Sequence, residues 1–375
     1  MTELAAGTDF PCPTCGAPAM TFDAVSGGLA CPYCGHRQAV DATGPAPSER
    51  ALEEGEALAR RDGAPVVADE ARGFGVEVRT TQCQSCGARV SFAGLEIASR
   101  CDFCGSNQVL EQASNRNLIR PESLVPFAVD DARARQMFKD WLAGLWFRPS
   151  DLKKRAEVGD VSGVYVPYWT FDAGAESRWR AEAGHRYHEM QTVKKTVDGK
   201  AQLVQERVQK IRWEPASGHR QDHFDDLLVV ASKGLPKRIA DGLRTFDTQQ
   251  LQPYDPRFLA GWRAEEYGVG LEEGWREAET RMRREQEARC GLDVPGDTHR
   301  GLQVETRLGG RTYKHVLLPL WIATYRYGDK PFRFLVNGQT GEVKGEAPLS
   351  WPKILLTIFI VCALLFALFT SFGGR

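Results

Sequence analysis

Four Cys-x-x-Cys knuckles fall within the first 104 residues and pair by spacing into two complete metal sites. Cys12, Cys15, Cys31 and Cys34 make the first; Cys83, Cys86, Cys101 and Cys104 make the second. A two-residue gap lets neighbouring thiolates grip one ion from a tight turn, and a second knuckle about fifteen residues later closes a tetrahedron. That is the ligand logic of a four-cysteine zinc ribbon. The wording repeats too: Cys12-Pro-Thr-Cys15-Gly16-Ala17 matches Cys83-Gln-Ser-Cys86-Gly87-Ala88, so the chain carries one small module twice. Gly16, Gly35, Gly87 and Gly105 each follow a second cysteine, where the turn predicts positive φ. Iron in a rubredoxin-like site uses similar knuckles, so spacing leaves both metals open, with two structural Zn2+ ions the favoured reading. An all-thiolate shell has no open position for water, which argues against a catalytic metal.

These thiols must stay reduced. Met1-Thr-Glu-Leu-Ala-Ala-Gly-Thr-Asp9 has no basic start and no apolar signal core, which predicts a cytosolic, reducing setting where such spacing means metal rather than disulfides. Cys290 and Cys362 stand alone and read as packing or lipid-facing residues.

From Ile354 to Phe372 the sequence carries no charge, Pro or Gly. At 1.5 Å rise this run spans about 28 Å, close to the hydrocarbon thickness of a bilayer. Trp351 and Lys353 at its near edge suit an interfacial aromatic and a snorkelling cation. The expectation is a single-pass anchor at 351–373, inserted after translation. Lys344 and Lys353 before the run, with Arg375 after it, lean toward a cytoplasmic body on the inner membrane. Membrane lipid is thus the first expected partner.

The chain has 375 residues, with 48 Lys and Arg against 49 Asp and Glu, so no global charge favours a polyanion. The composition divides into a first ribbon at 1–40, an Ala/Gly/Pro/Glu linker at 41–75 with a short helix from Ser48 to Arg61, a second ribbon at 76–112, and a body at 113–348. The body mixes helices and strands without a βαβ rhythm, giving an α+β class with antiparallel sheets. Asp130–Phe147 is predicted helical, with Ala134, Phe138, Trp141, Leu142 and Leu145 on one face. Val164–Ala173 reads as a strand and Tyr187–Trp213 as a hairpin turning at Asp198-Gly199. Helices are expected at Leu235–Gln250 and Leu271–Arg289. A closing meander runs through Leu302–Leu308, a Gly309-Gly310 turn, Thr312–Tyr327, a Gly328-Asp329 turn and Pro331–Val336 to a last short strand. Val164-Tyr-Val-Pro-Tyr-Trp169 echoes Val316-Leu-Leu-Pro-Leu-Trp321 and suggests two related sheet halves. Trp169 and Trp321 read as core tryptophans rather than a ligand-stacking pair.

No phosphate-binding loop, nucleophile elbow or His-Glu-x-x-His motif occurs, so nothing assigns an enzyme's nucleophile, acid or base. The pairs His185/His188 and His219/His223, and the acidic pair Asp225-Asp226, lack supporting context. Nucleic-acid binding is the alternative function, but neither ribbon is electropositive. The hairpin cations Lys194, Lys195, Lys200, Arg207, Lys210 and Arg212 are interspersed with Glu189, Asp198, Glu206 and Glu214.

Beyond the cysteine knuckles, the chain carries Asn117-Leu-Ile-Arg-Pro-Glu-Ser-Leu-Val-Pro126, Gly163-Val-Tyr-Val-Pro-Tyr-Trp-Thr-Phe-Asp172, Pro253-Tyr-Asp-Pro-Arg-Phe-Leu-Ala-Gly261 and Leu335-Val-Asn-Gly-Gln-Thr-Gly-Glu-Val343. With these strings it resembles the bacterial TFIIB-type zinc-ribbon membrane proteins, over nearly its whole length. Such relatives often carry a primosomal replication-helicase name, which the missing phosphate loop contradicts. The resemblance implies partners of the flotillin-like (SPFH) or phage-shock type in envelope maintenance. The expected function is a membrane-anchored adaptor.

Overall fold

The computed structural model describes residues 10–23, 26–40, 48–59, 73–74, 79–92, 100–112, 118–152, 157–158, 161–197, 200–243, 245–328 and 330–372. Most of the expected linker (41–47, 60–72 and 75) and the Asp198-Gly199 turn lie outside the described residues. The architecture is mixed α and β, with largely antiparallel sheets, two four-cysteine clusters and one apolar C-terminal helix. The chain divides into two compact units: Met1–Thr170, Leu228–Gly274 and Lys314–Arg375 form one, Phe171–Leu227 and Trp275–Tyr313 the other.

In chain order, β1 (Thr21–Asp23), β2 (Gly28–Ala30) and β3 (Arg37–Ala39) make an antiparallel sheet of their own. β4 (Arg50–Ala51) and α1 (Leu52–Ala59) follow, inside the stretch read as linker; β4 pairs with a later strand and Leu52 is fully buried. Next come β5 (Arg79–Cys83), β6 (Arg89–Phe92), β7 (Val109–Gln112), β8 (Ser123–Leu124), α2 (Asp131–Gly144) and β9 (Glu157–Val158). Two long strands, β10 (Ser162–Val197) and β11 (Lys200–Val230), are followed by α3 (Lys237–Ala240), β12 (Gln252–Pro253), β13 (Arg263–Glu265) and α4 (Leu271–Asp293). The chain continues through β14 (Thr298–Tyr327), β15 (Lys330–Asn337), β16 (Val343–Gly345) and α5 (Trp351–Phe372). The second sheet runs β12-β8-β14-β10-β13-β6-β5-β7, with the remaining strands attached beside it.

Strand side chains alternate between faces, and this alternation sorts the first unit's core. Tyr165, Leu317, Trp321, Ala323, Tyr325, Phe334 and Val336 face one cluster, which also takes Phe138 and Leu142 of α2 and Cys12, Phe22, Leu29 and Cys31 of the first cysteine module. Val164, Val166, Tyr168, Val316, Leu318, Leu320, Ile322 and Leu335 face the other, which takes Cys83, Ala88, Val90, Cys101 and Phe103 of the second module. Burial on both faces explains why these strands read as continuous apolar runs. α2 docks as its pattern predicts: Asp130 caps it by accepting from the Arg133 amide at 2.7 Å, and Phe138 stacks on Phe334 with centroids 3.6 Å apart. Phe138→Ala is expected to cost about 3–5 kcal/mol, measured by denaturant unfolding of the solubilised chain.

The internal echo extends into backbone detail. Val164 pairs in parallel with Arg263 of β13, and Val316 pairs in parallel with Ser123 of β8. The carbonyl of Pro167 accepts from Ala231, and that of Pro319 from Gly338. In turn the Ala231 carbonyl accepts from Gly268 and Val269, and the Gly338 carbonyl from Ala128 and Val129. Trp169 donates its indole N–H to the Val269 carbonyl at 2.9 Å; Trp321 does the same to Val129 at 2.8 Å. Two halves therefore repeat one plan, short strand, helix, long strand, return strand: β8-α2-β10-β11 and β13-α4-β14-β15. Each short strand pairs with the long strand of the other half.

Three expectations are corrected. The Gly309-Gly310 turn is absent: Gly310, at φ +60°, is absorbed inside the single strand β14. Glycine's freedom there accommodates an irregularity without reversing the chain. The helix expected at Leu235–Gln250 shrinks to α3, because the chain turns at Gly242, whose amide bonds the Ile239 carbonyl, and Asp247 caps a separate 3-10 turn at Thr248–Gln250. α2 stops at Gly144, not Phe147, since Leu145 leaves helical geometry at ψ 89°.

In the second unit, Cys290 of α4 and Val294 just beyond its end lie with Trp179, Ala181 and Ala183 of the strands. Cys290 is thus a packing residue. Asp222 ties this layer together, accepting from Arg220, Gln286 and Arg289. α5 is long and apolar enough to cross a membrane, and none of Trp351–Phe369 is buried.

Candidate metal centres

All four knuckles share one backbone design. The amides of Cys12, Cys31, Cys83 and Cys101 donate to the carbonyls five residues on, those of Ala17, His36, Ala88 and Ser106. The amides of Gly16, Gly35, Gly87 and Gly105 donate back to the carbonyl of the first cysteine. Each of these glycines has positive φ, between +70° and +79°, as the sequence predicts. A side chain there would strain the turn that places the second sulfur.

The knuckles bring the eight expected ligands together as two groups. In the first, Cys12 Sγ lies 3.6 Å from Cys34 Sγ, and Cys15 Sγ lies 3.7 Å from Cys31 Sγ. In the second, Cys83–Cys104 and Cys86–Cys101 are each 3.6 Å apart. All four sulfurs of a group lie within 4.8 Å of one another. A disulfide needs about 2.05 Å, so no sulfur pair is bonded. A tetrahedron with metal–sulfur bonds of about 2.3 Å has edges of about 3.8 Å. The donor sets therefore fit one tetrahedral ion each.

Protons are held unevenly by the sulfurs of each group. Burial opposes the Cys12 thiolate, but bonds from the Cys15 and Thr14 amides and from the Cys34 and Cys15 thiols bring it down to about 6. The Cys101 thiol beside it holds Cys86 down to about 5, against burial. Cys101 is pushed up correspondingly, by Cys86 and by burial. Each group thus already favours a thiolate, the form that binds a cation.

The two centres differ in cover. Cys15 and Cys34 are exposed, while Cys86 and Cys104 are half-buried. The second centre is also pinned by Glu266, which sequence reading missed, as it missed the buried Glu265 beside it. Glu266 accepts from Thr80 at 2.9 Å and Ser91 at 3.2 Å and pairs with Arg89 at 3.2 Å, joining β5 and β6 to the end of β13. Glu265 is buried with the Ser232 hydroxyl at 2.8 Å, and burial pushes its carboxyl up to about 8. Only their position between Trp262 and Tyr267 hinted at burial. Arg263 adds an ion pair to Asp102, inside the fourth knuckle. A chelator should therefore strip the first centre faster than the second, giving two-phase release when followed by a metal-sensitive dye; a single phase would contradict the difference in cover.

The histidine candidates do not converge. Among the described residues, no group of metal-ligating side chains includes a histidine. Trp169 and Trp321 are buried in separate aromatic clusters, Trp169 with Tyr267 and His315, Trp321 with Phe127 and Trp262.

No described protein family and no solved structure matches the chain. It is similar to the uncharacterized protein YdjG of Bacillus subtilis (strain 168), 26% identical over 352 residues that span 92% of this chain and 91% of that one. The likeness thus runs the length of both chains rather than through the cysteine knuckles alone.

Proposed function

We propose that the two clusters are structural zinc ribbons and that the chain is a single-pass membrane adaptor. In this reading it gathers cytoplasmic partners at the inner face of a bacterial membrane, in envelope maintenance or stress response. The observation that carries it is the pairing of two four-cysteine clusters with a long apolar helix in which none of Trp351–Phe369 is buried. Zinc supplies folding energy and no chemistry, because four thiolates complete its shell. A module of roughly forty residues cannot build a sufficient core alone, which is what such an ion replaces. Thiolates need a reducing compartment, which favours the cytoplasmic side.

Several surface features support recruitment over nucleic-acid binding. Three arginines of the cysteine modules are engaged, Arg37 with Asp23, Arg89 with Glu266 and Arg100 with the Gly105 carbonyl. On the β10–β11 hairpin, Lys210 pairs with Glu189 and Arg212 with Glu214. The same hairpin exposes Tyr187, Met190, Leu203 and Ile211, apolar side chains suited to a protein partner. Partners of SPFH or phage-shock type follow from the sequence resemblance.

The test is purification of the full chain from native membranes in mild detergent. Close to two zinc ions per chain, with envelope proteins co-purifying, is the expected result. One ion or none, or iron in place of zinc, overturns the metal assignment. Tight DNA or RNA binding that weakens steeply with salt moves the function to the alternative.

A further inference from the structure

We propose that the turn after α2, residues 145–148, is a second membrane contact, dipping into the headgroup region beside the entry of α5. This rests on the reading that α5 crosses a bilayer. Trp146 and Phe147 are 74% and 44% exposed, an unusual arrangement for two adjacent large aromatics. They are not on a free loop. The Ser350 amide donates to the Phe147 carbonyl at 2.9 Å, Arg148 donates to the Ala347 carbonyl, and Lys353 Nζ lies 3.4 Å from the Trp146 carbonyl. The Lys353 ammonium also sits 5.8 Å from the Trp146 ring centroid. Behind this junction, Tyr325 donates to the Glu346 carbonyl at 2.7 Å, and Tyr327 to Asp151 at 2.8 Å.

These bonds set the level of the turn. Phe147 is fixed to Ser350, one residue before α5 begins, and the charge-free run starts at Ile354, about 6 Å further along the axis by helical rise. Trp146 and Phe147 therefore share the level of Trp351 and Leu349, which are 66% and 54% exposed. Tryptophan beside a lysine is the composition favoured where headgroups meet acyl chains. Lipid is the occupant that continuity with α5 selects, since any bilayer holding α5 reaches the turn bonded to its first residues. The consequence is a body seated against the membrane through two footholds.

The test uses the full chain in phosphatidylcholine vesicles containing lipids brominated close to the headgroup. Subtracting the emission of Trp146→Phe or Trp351→Phe from that of the unaltered protein isolates each indole; the exposure of both rings leaves folding intact, checked by circular dichroism. Bromine quenching of Trp146 equal to that of Trp351 is the expected result, with matching protection from aqueous iodide. Quenching of Trp351 alone overturns the proposal and leaves the anchor standing. In that case red-shifted Trp146 emission means water, and blue-shifted emission means a second copy or a protein partner. Quenching of neither indole removes the anchor reading as well.

Discussion

Cys101→Ser is expected to lower the metal content to one ion per chain and to unfold the second module outright. Apparent zinc affinities of about 10–16 kcal/mol in small structural sites match or exceed the whole stability of a domain, about 5–15 kcal/mol. The module would not merely loosen. Its strands are also part of the larger sheet, β6 pairing along β13 from Phe92↔Arg263 to Val90↔Glu265. Losing β5 and β6 strips Glu266 of Thr80, Ser91 and Arg89. A buried polar group left without partners costs about 1–3 kcal/mol, so the damage spreads into the body. Cys31→Ser should remove the other ion and disturb less, because β1–β3 pair only with one another and reach the body through the Phe22 bonds to Ala260 and Trp262 and through packing, not through a shared sheet. Metal analysis and calorimetry on the two variants read this asymmetry; equal falls in melting temperature would show that the second centre has no special hold on the body.

The second large effect concerns α5. Val361→Arg combined with Leu364→Arg is expected to release the chain from carbonate-washed membranes, while Leu364→Arg alone releases it in part. Eleven large apolar side chains between Leu355 and Phe369 are exposed, and at about 0.3–0.6 kcal/mol each they favour insertion by roughly 3–7 kcal/mol. One central arginine opposes this by about 2.5–3.5 kcal/mol. Two reverse the sign. Both variants should keep two metal ions, since no cysteine ligand lies in the helix; continued carbonate resistance of the double variant would mean that something other than α5 holds the protein to lipid.

How far the sequence spoke depended on the distance between the residues concerned. The knuckles were legible because six residues contain the whole turn, its two sulfurs and its glycine. α5 was legible because its uniform apolarity over a long run is a local property that needs no distant partner to be read. α2 announced itself through Asp130 and the spacing of Ala134, Phe138 and Leu142. Gly309-Gly310 misled because a glycine pair marks both turns and strand irregularities, and only the neighbouring strands decide which. Leu235–Gln250 misled because apolar spacing suggested a helix where Gly242 and the cap at Asp247 interrupt one. Glu265 and Glu266 stayed hidden because their partners are distant, Ser232 being 33 positions from Glu265 and Ser91 and Thr80 being 175 and 186 from Glu266. The echo at Trp169 and Trp321 was visible as a string, but the exchange of short strands between halves was not, because pairing of Ser123 with Val316 leaves no local trace.

That exchange has a consequence for biogenesis. Ser123-Leu124 must wait for Val316-Leu317 to be synthesised, a delay of roughly 10–40 s at about 5–20 residues per second. Until then the nascent first half shows an unsatisfied edge to solvent, an invitation to misassociate that a holding chaperone would have to cover.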